Sequence, residues 1–244
     1  PSAIALELFH NFTLLHDDIM DNAPLRRGNP TVHERWNSNV AILSGDVMMI
    51  KSYQLLGKLE GSILKEVLDV FNKVAIKVCE GQQQDMDFEN QEDVSLVDYM
   101  RMIKYKTAVL LAASLQIGAI VAGASKEDQA HLYEFGINMG IAFQLKDDLL
   151  DVFGSPKIFG KQLGGDILAN KKTFLYLKAL NLADDETKAR LQYYYTHNGK
   201  SQSKVNEIKN IFKNLDIKKH AFANMQSHHL KAMKHLDSID SENK

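Results

Sequence analysis

An all-α domain is what this sequence predicts, on three observations. Its four prolines, Pro1, Pro24, Pro30 and Pro156, leave the tracts 31–155 and 157–244 free of the residue that breaks helix interiors. Apolar residues recur at three-four spacing: Ile63, Leu64, Val67, Leu68, Phe71, Val74, Ala75 and Val78 mark one face over four turns, and 133–153 is similar. No segment alternates with period two between hairpin turns, so almost no strand is expected. The 244 residues, 45% hydrophobic and 25% charged, fit one globular domain spanning 1–244, without a 20–50-residue repeat.

Along the chain, residues 1–16 form an apolar helical run. The tract 108–124 is apolar for 17 residues, but a membrane span takes about 20. It also carries Ser114 and Gln116, so a fully buried helix is expected and no membrane span. Residues 200–219 form an amphipathic stretch whose scattered lysines read as a solvated face. His228, His229 and His235 are expected on the surface of a terminal helix, and Tyr193, Tyr194 and Tyr195 between helices. The formal charge of −2 excludes a general nucleic-acid binder. The single cysteine, Cys79, excludes an internal disulfide and a Cys-based zinc site, fits a reducing, cytoplasmic compartment, and is expected as inert core. Residues 1–12 lack the basic and apolar regions of a secretory signal, and the chain begins at Pro1 without a Met.

The chemistry lies in two similar segments. Residues 16–21 read His-Asp-Asp-Ile-Met-Asp and residues 146–151 read Lys-Asp-Asp-Leu-Leu-Asp, two DDxxD motifs beginning at 17 and 147. Each ends an apolar helical run and is followed by a loop with Pro, Gly and basic residues, 22–33 and 152–172. Positions i and i+4 share a helix face, so Asp17 pairs with Asp21 and Asp147 with Asp151, while Asp18 and Asp148 point about 100° away. Like charges so spaced cost a bare helix about 0.2–0.5 kcal/mol, and the helix dipole disfavours anions at a C-terminal end. Two such pairs call for cations, and carboxylate oxygens suit Mg²⁺, which shares its shell with water and phosphates. Arg26, Arg27, Lys161, Lys171 and Lys172 follow the motifs and suit phosphate oxygens. Together these residues describe a diphosphate site beneath a pocket for a hydrocarbon tail.

The segments 10–33, 104–111 and 140–174, with LSGD at 43–46 and EGQQQDM at 80–86, resemble trans-prenyl diphosphate synthases of the polyprenyl synthetase family. The resemblance implies a bundle of long, mostly antiparallel helices around a deep central cavity, in a homodimer. It implies head-to-tail condensation of isopentenyl diphosphate with an allylic diphosphate. By its pattern Asp17 and Asp21 bind two Mg²⁺, Asp147 with Asp151 a third. Arg26, Lys106, Lys161 and Lys171 hold the allylic diphosphate, and Arg27 with His10 the isopentenyl diphosphate. Lys106, Thr107 and Gln144 face the reacting carbons and steady the allylic cation. The glycine-rich loop 152–172 is expected to act as a lid. Gln82, Gln83 and Asp85 have either a cavity-wall or a structural role, and Gly45 with Asp46 either a site role or close helix packing.

Phe12 and Thr13, five and four residues before Asp17, project toward the tail, with Phe12 near the cavity floor. A short product follows, fifteen or twenty carbons, with twenty favoured. Two alternatives remain: a noncatalytic partner subunit and an all-α Mg²⁺ phosphohydrolase. The family's upstream Gly-Gly-Lys-x-x-Arg segment is not in this sequence. The chain is therefore expected to lack N-terminal helices, and the function is assigned to the full-length protein.

Overall fold

The computed structural model describes residues 1–154, 164–196 and 201–239. Helix α1 (Ser2–Met20) is followed by a two-stranded ribbon, β1 (Leu25–Arg26) and β2 (Asn29–Pro30), and by a short turn of helix, α2 (Val32–Arg35). Then come α3 (Ser38–Leu56), the 30-residue α4 (Gly61–Asn90) and α5 (Leu96–Ile103). A π-helical segment (Lys104–Ala108) joins α5 to α6 (Val109–Val121), and the 28-residue α7 (Lys126–Phe153) follows. The remainder is α8 (Gly165–Leu168), α9 (Phe174–Leu182), α10 (Asp185–Thr196), α11 (Gln202–Asn214) and α12 (Ile217–Asp237). The expected all-α architecture is therefore present, and among the described residues the strands amount to four residues.

Side-chain caps set several helix starts. Asn37 accepts from the Val40 N–H at 2.9 Å, and Ser125 from the Asp128 N–H at 3.0 Å. Ser95 and Asp98 form a capping box at the start of α5. Packing then places α7 at the centre, with α6 along one side and α12 along another, while α1 lies on α3. Most of the α4 face expected from spacing is buried, with Val67, Phe71, Val74, Ala75 and Val78 in the core, whereas Ile63 at its start is exposed.

Two glycines bring three helix backbones close together. A Cβ at Gly140 of α7 would lie 2.5 Å from Ala108 Cα; at Gly45 of α3 the neighbour is instead a side chain, His16 Nε2 at 2.5 Å. Gly81 of α4, like Gly140, faces backbone, that of Tyr105 and Lys106. The π-helical turn at 104–108 thus lies between α4 and α7, where a widened turn re-aims side chains.

Several local expectations change. The α6 tract is buried on one side only, through Ala112, Ala113, Ile117 and Ile120, while Leu111 is 43% exposed. The helical path Leu96–Val121 is long and apolar enough to cross a membrane by composition alone, but it packs on α4 and α7. Cys79 is exposed rather than core. His228 bonds to Asn138 at 2.9 Å and His235 to His131 at 3.1 Å, tying α12 to α7. Of the three only His229 is exposed; His228 and His235 are half-buried. Tyr195 is buried and stacks on Tyr176 at 3.7 Å, whereas Tyr193 is exposed.

Candidate active site

Both Asp-rich motifs sit at helix C-terminal ends, since α1 stops at Met20 with Asp21 as its cap and α7 stops at Phe153. The fold brings these ends together: Asp17, Asp18 and Asp21 share one polar cavity of about 460 Å³ with Asp147 and Asp148. A larger, mainly apolar cavity of about 1020 Å³ runs between α1, α4, α6 and α7, walled by residues such as Leu6, Phe12, Val78, Leu110, Ile117 and Phe143. The exposed side of α6 is thus the wall of this second cavity. Six residues line both cavities: Asp17, Arg26, Lys106, Thr107, Gln144 and Asp147. They form a neck between a charged chamber and an apolar one.

The ribbon after α1 turns through Arg27 and Gly28, both at positive φ (53° and 79°), which suits a two-residue hairpin turn. It folds Arg26 back onto the first motif. The Arg26 Nε donates to both Asp18 oxygens at 2.8 Å, and Nη2 reaches Asp17 Oδ2 at 3.3 Å. From the π-helical turn, Lys106 Nζ donates to Asp85 Oδ2 at 2.6 Å and lies 3.1 Å from Asp17 Oδ1. Asp17 Oδ1 is nonetheless buried without a hydrogen bond of good geometry. Lys171 Nζ is 3.6 Å from Asp21 Oδ2, an ion pair longer than a hydrogen bond.

The middle aspartates point inward. Asp18 is held by Arg26, and Asp148 accepts from Tyr99 Oη at 2.6 Å, Gln144 Nε2 at 3.3 Å and the Phe174 N–H at 3.3 Å. Asp151 accepts the N–H groups of Gly165 (3.1 Å) and Asp166 (3.2 Å) at the start of α8. Lys172 also lines the polar cavity, but its Nζ donates to the carbonyls of Phe88 (2.6 Å) and Gln91 (2.7 Å) at the C-terminal end of α4.

Crowded carboxylates raise one another. Burial pushes Asp21 up, Lys171 pulls it down and Asp17 raises it further, with a net rise. Burial lifts Asp148 to about 6 and, with Asp151 and Asp148 adding, Asp166 to about 7. Burial opposes the charge on Lys106 and Lys171, yet the surrounding aspartates outweigh it and both are raised. The donors are oxygens only, one of them orphaned, and the negative charge exceeds what the lysines relieve. That set fits a hard divalent cation. Among the described residues no three His, Cys, Asp or Glu side chains close on a single point, so such a cation would complete its shell with water and phosphate oxygens.

A pH dependence follows for the metal-free protein. A carboxyl whose folded pKa is raised contributes stability that is full below its ordinary value, 3.8, and is lost as pH rises through about 7. Urea midpoints should therefore fall between pH 4 and 7, and Asp166→Asn should flatten that slope. An unchanged slope in the variant would assign it to other groups.

The expected residues are distributed as follows. Asp17, Asp21, Arg26, Arg27, Lys106, Thr107, Gln144, Asp147 and Lys171 all line the polar cavity; Asp151, expected with them, does not, and instead accepts the backbone N–H groups at the start of α8. His10, Phe12 and Thr13 line the apolar one instead, and the Thr13 hydroxyl donates to the His10 carbonyl at 2.7 Å. Lys161 and most of the expected lid, 155–163, lie outside the described residues. Gln82 and Gln83 line the apolar cavity and Asp85 the polar one. Gly45 serves close packing. Sequence reasoning missed Tyr99 and Asp166. Asp166 follows two glycines within the second motif's loop, which is a usable signal, whereas Tyr99 carries none.

The comparisons with known proteins agree with this geometry. The family model for polyprenyl synthetase matches residues 1–213. The chain is 40% identical over 214 residues to a short chain isoprenyl diphosphate synthase of Methanocaldococcus jannaschii, covering 87% of this chain and 65% of that one. It is 43% identical over 181 residues to a geranylgeranyl diphosphate synthase of Methanosarcina mazei, covering 73% and 56%. The chain thus spans less than two thirds of the length of these relatives. A crystal structure of a geranylgeranyl pyrophosphate synthetase from Pyrococcus horikoshii superposes with a TM-score of 0.92 at 36% identity, over 99% of this chain and 74% of that one. Another geranylgeranyl pyrophosphate synthase structure gives 0.92 at 44% identity, over 98% and 74%. With paired DDxxD motifs on one cavity and a family match over most of its length, the chain belongs to the polyprenyl synthetase family.

Proposed function

We propose that the full-length protein is a trans-prenyl diphosphate synthase. It condenses isopentenyl diphosphate with an allylic diphosphate to a product of fifteen or twenty carbons. The observation that carries this reading is the neck shared by a charged and an apolar cavity. A diphosphate head in the first and a hydrocarbon tail in the second put the bond between them beside Lys106, Thr107 and Gln144.

Mg²⁺ is the cation proposed, three ions in all, held by Asp17, Asp21 and Asp147. Asp151, one helical turn beyond Asp147 on α7, belongs to the same proposal, although it does not line the polar cavity itself. Bound Mg²⁺ supplies neutralisation of charge developing on the diphosphate. Around it Arg26, Lys106 and Lys171 present cations, and Lys161 belongs to the same proposal. The positions of Arg26, Lys106 and Lys171 around the cavity would stabilise the leaving diphosphate. Arg27 has no side-chain hydrogen bond or ion pair among the described residues and is the group proposed for isopentenyl diphosphate. His10, proposed as its partner there, stands on the wall of the tail cavity, so the two would have to converge on substrate binding. At the neck the Thr107 hydroxyl donates to Gln144 Oε1 at 3.3 Å, setting oxygen lone pairs where positive charge develops on carbon. The apolar cavity excludes water from that charge.

A second copy of the chain is the proposed partner. Helix α3 exposes Val40, Leu43, Val47 and Ile50 at three-four-three spacing, one apolar face with no neighbour within the chain's core. The function is tested with the full-length protein, Mg²⁺, radiolabelled isopentenyl diphosphate and dimethylallyl, geranyl or farnesyl diphosphate, sizing the dephosphorylated products. Elongated alcohols are expected. Folded protein that elongates no primer would overturn the reading.

A further inference from the structure

Gln144 presents an oxygen to the neck, and that is not a property of glutamine itself. A primary amide has two ends of nearly equal shape and opposite polarity, so its neighbours decide which end faces which way. Were Gln144 turned over, an N–H donor would stand where positive charge develops.

The neighbours leave one choice. On one side Gln144 meets Asp148 Oδ1 at 3.3 Å, one helical turn further along α7. A carboxylate only accepts, so it takes the NH₂ end. On the other side Oε1 receives the Thr107 hydroxyl at 3.3 Å, at the boundary of the two cavities. The carboxylate is itself fixed. Tyr99 of α5 donates to Oδ2 at 2.6 Å, and the Phe174 N–H at the start of α9 donates to the same oxygen at 3.3 Å. Tyr99 and Asp148 line the polar cavity but are each only 3% exposed, so these bonds are largely shielded from solvent. The chain Tyr99–Asp148–Gln144–Thr107 thus crosses from the interior to the neck, each member fixing the next.

We propose that Asp148 and Tyr99 are positioning residues for the prenyl transfer: they lock the Gln144 amide so that its carbonyl oxygen, not its NH₂, faces the reacting carbons. This assigns the inward aspartate of the second motif a role apart from metal binding. The inference rests on the synthase reading.

The test is a double-mutant cycle on the full-length protein with Mg²⁺ and both diphosphates. Asp148→Asn keeps the shape but allows either amide orientation at Gln144. It should lower kcat by about 10²-fold, the scale of a misplaced catalytic group, while KM for each substrate changes less than about twofold. In a Gln144→Ala background the same substitution should cost almost nothing further, because its target is gone. Tyr99→Phe removes one oxygen and should show a smaller loss with the same dependence on Gln144; it serves as the test if Asp148→Asn does not fold. Equal losses with and without Gln144, or a rise in KM at constant kcat, would overturn the inference while leaving the synthase reading intact. Wild-type protein that elongates no primer would overturn that reading, and the inference with it.

Discussion

Asp17→Ala is expected to lower the rate of elongation by at least about 10²–10³-fold, the scale of removing one charge-stabilising group from a transition state. The variant should remain folded, and the structure says why. Asp17 shares each of its cations with another acid. Arg26 keeps its 2.8 Å bonds to Asp18, and Lys106 keeps its 2.6 Å bond to Asp85. No buried charge is stranded, so the usual cost of breaking a buried pair does not arise. What is lost is the carboxylate at the neck, with its one oxygen lacking a hydrogen bond. Single-turnover rates with a labelled allylic primer, alongside thermal melts, separate the two effects. A near-native melting temperature with lost turnover is the expected pair; full turnover would remove Asp17 from the metal site.

The fold was largely legible because its cause is periodic. Proline-free tracts with apolar residues at three-four spacing specify helices, and most of the α4 face named from that spacing is buried. The paired motifs were legible for a similar reason: helical phase sets Asp18 and Asp148 about 100° away from the other aspartates of each motif, though only the fold shows that they turn inward. Less legible was anything that depends on what stands opposite. An apolar helix facing a lipid-like cavity has the composition of a core helix, so α6 reads as wholly buried although Leu111 faces the open cavity. Cys79 fails in the same way. Lys171 and Lys172 are neighbours of one type, yet one reaches the first motif and the other closes the end of α4, a difference set by elements about 150 and about 80 residues away. Tyr99 and Asp148 are 49 residues apart, and no local pattern announces their bond.

Phe12→Ala should lengthen the product by at least one five-carbon unit. Phe12 stands five residues before Asp17, about 7.5 Å back along the helix axis at 1.5 Å per residue. Its ring is 8% exposed, edge-on to His16 at 4.7 Å and tilted against Phe9 at 5.6 Å, so it is held in one position. The cavity lining does not stop there, as expected of a floor, but continues along α1 through Leu6 and Ala3 to Ser2. If Phe12 limits the tail, it does so as a ring beside the neck with cavity lining beyond it, not as a floor. Truncating a fully buried Phe costs about 3–5 kcal/mol; here one side already faces a cavity, so the loss should fall at or below that range. Phe12→Leu, with an intermediate side chain, should give an intermediate distribution. Dephosphorylated products sized by chromatography decide the matter. The same chain lengths from all three proteins would assign Phe12 to the packing of α1 on α3 and place the limit on length farther along the cavity.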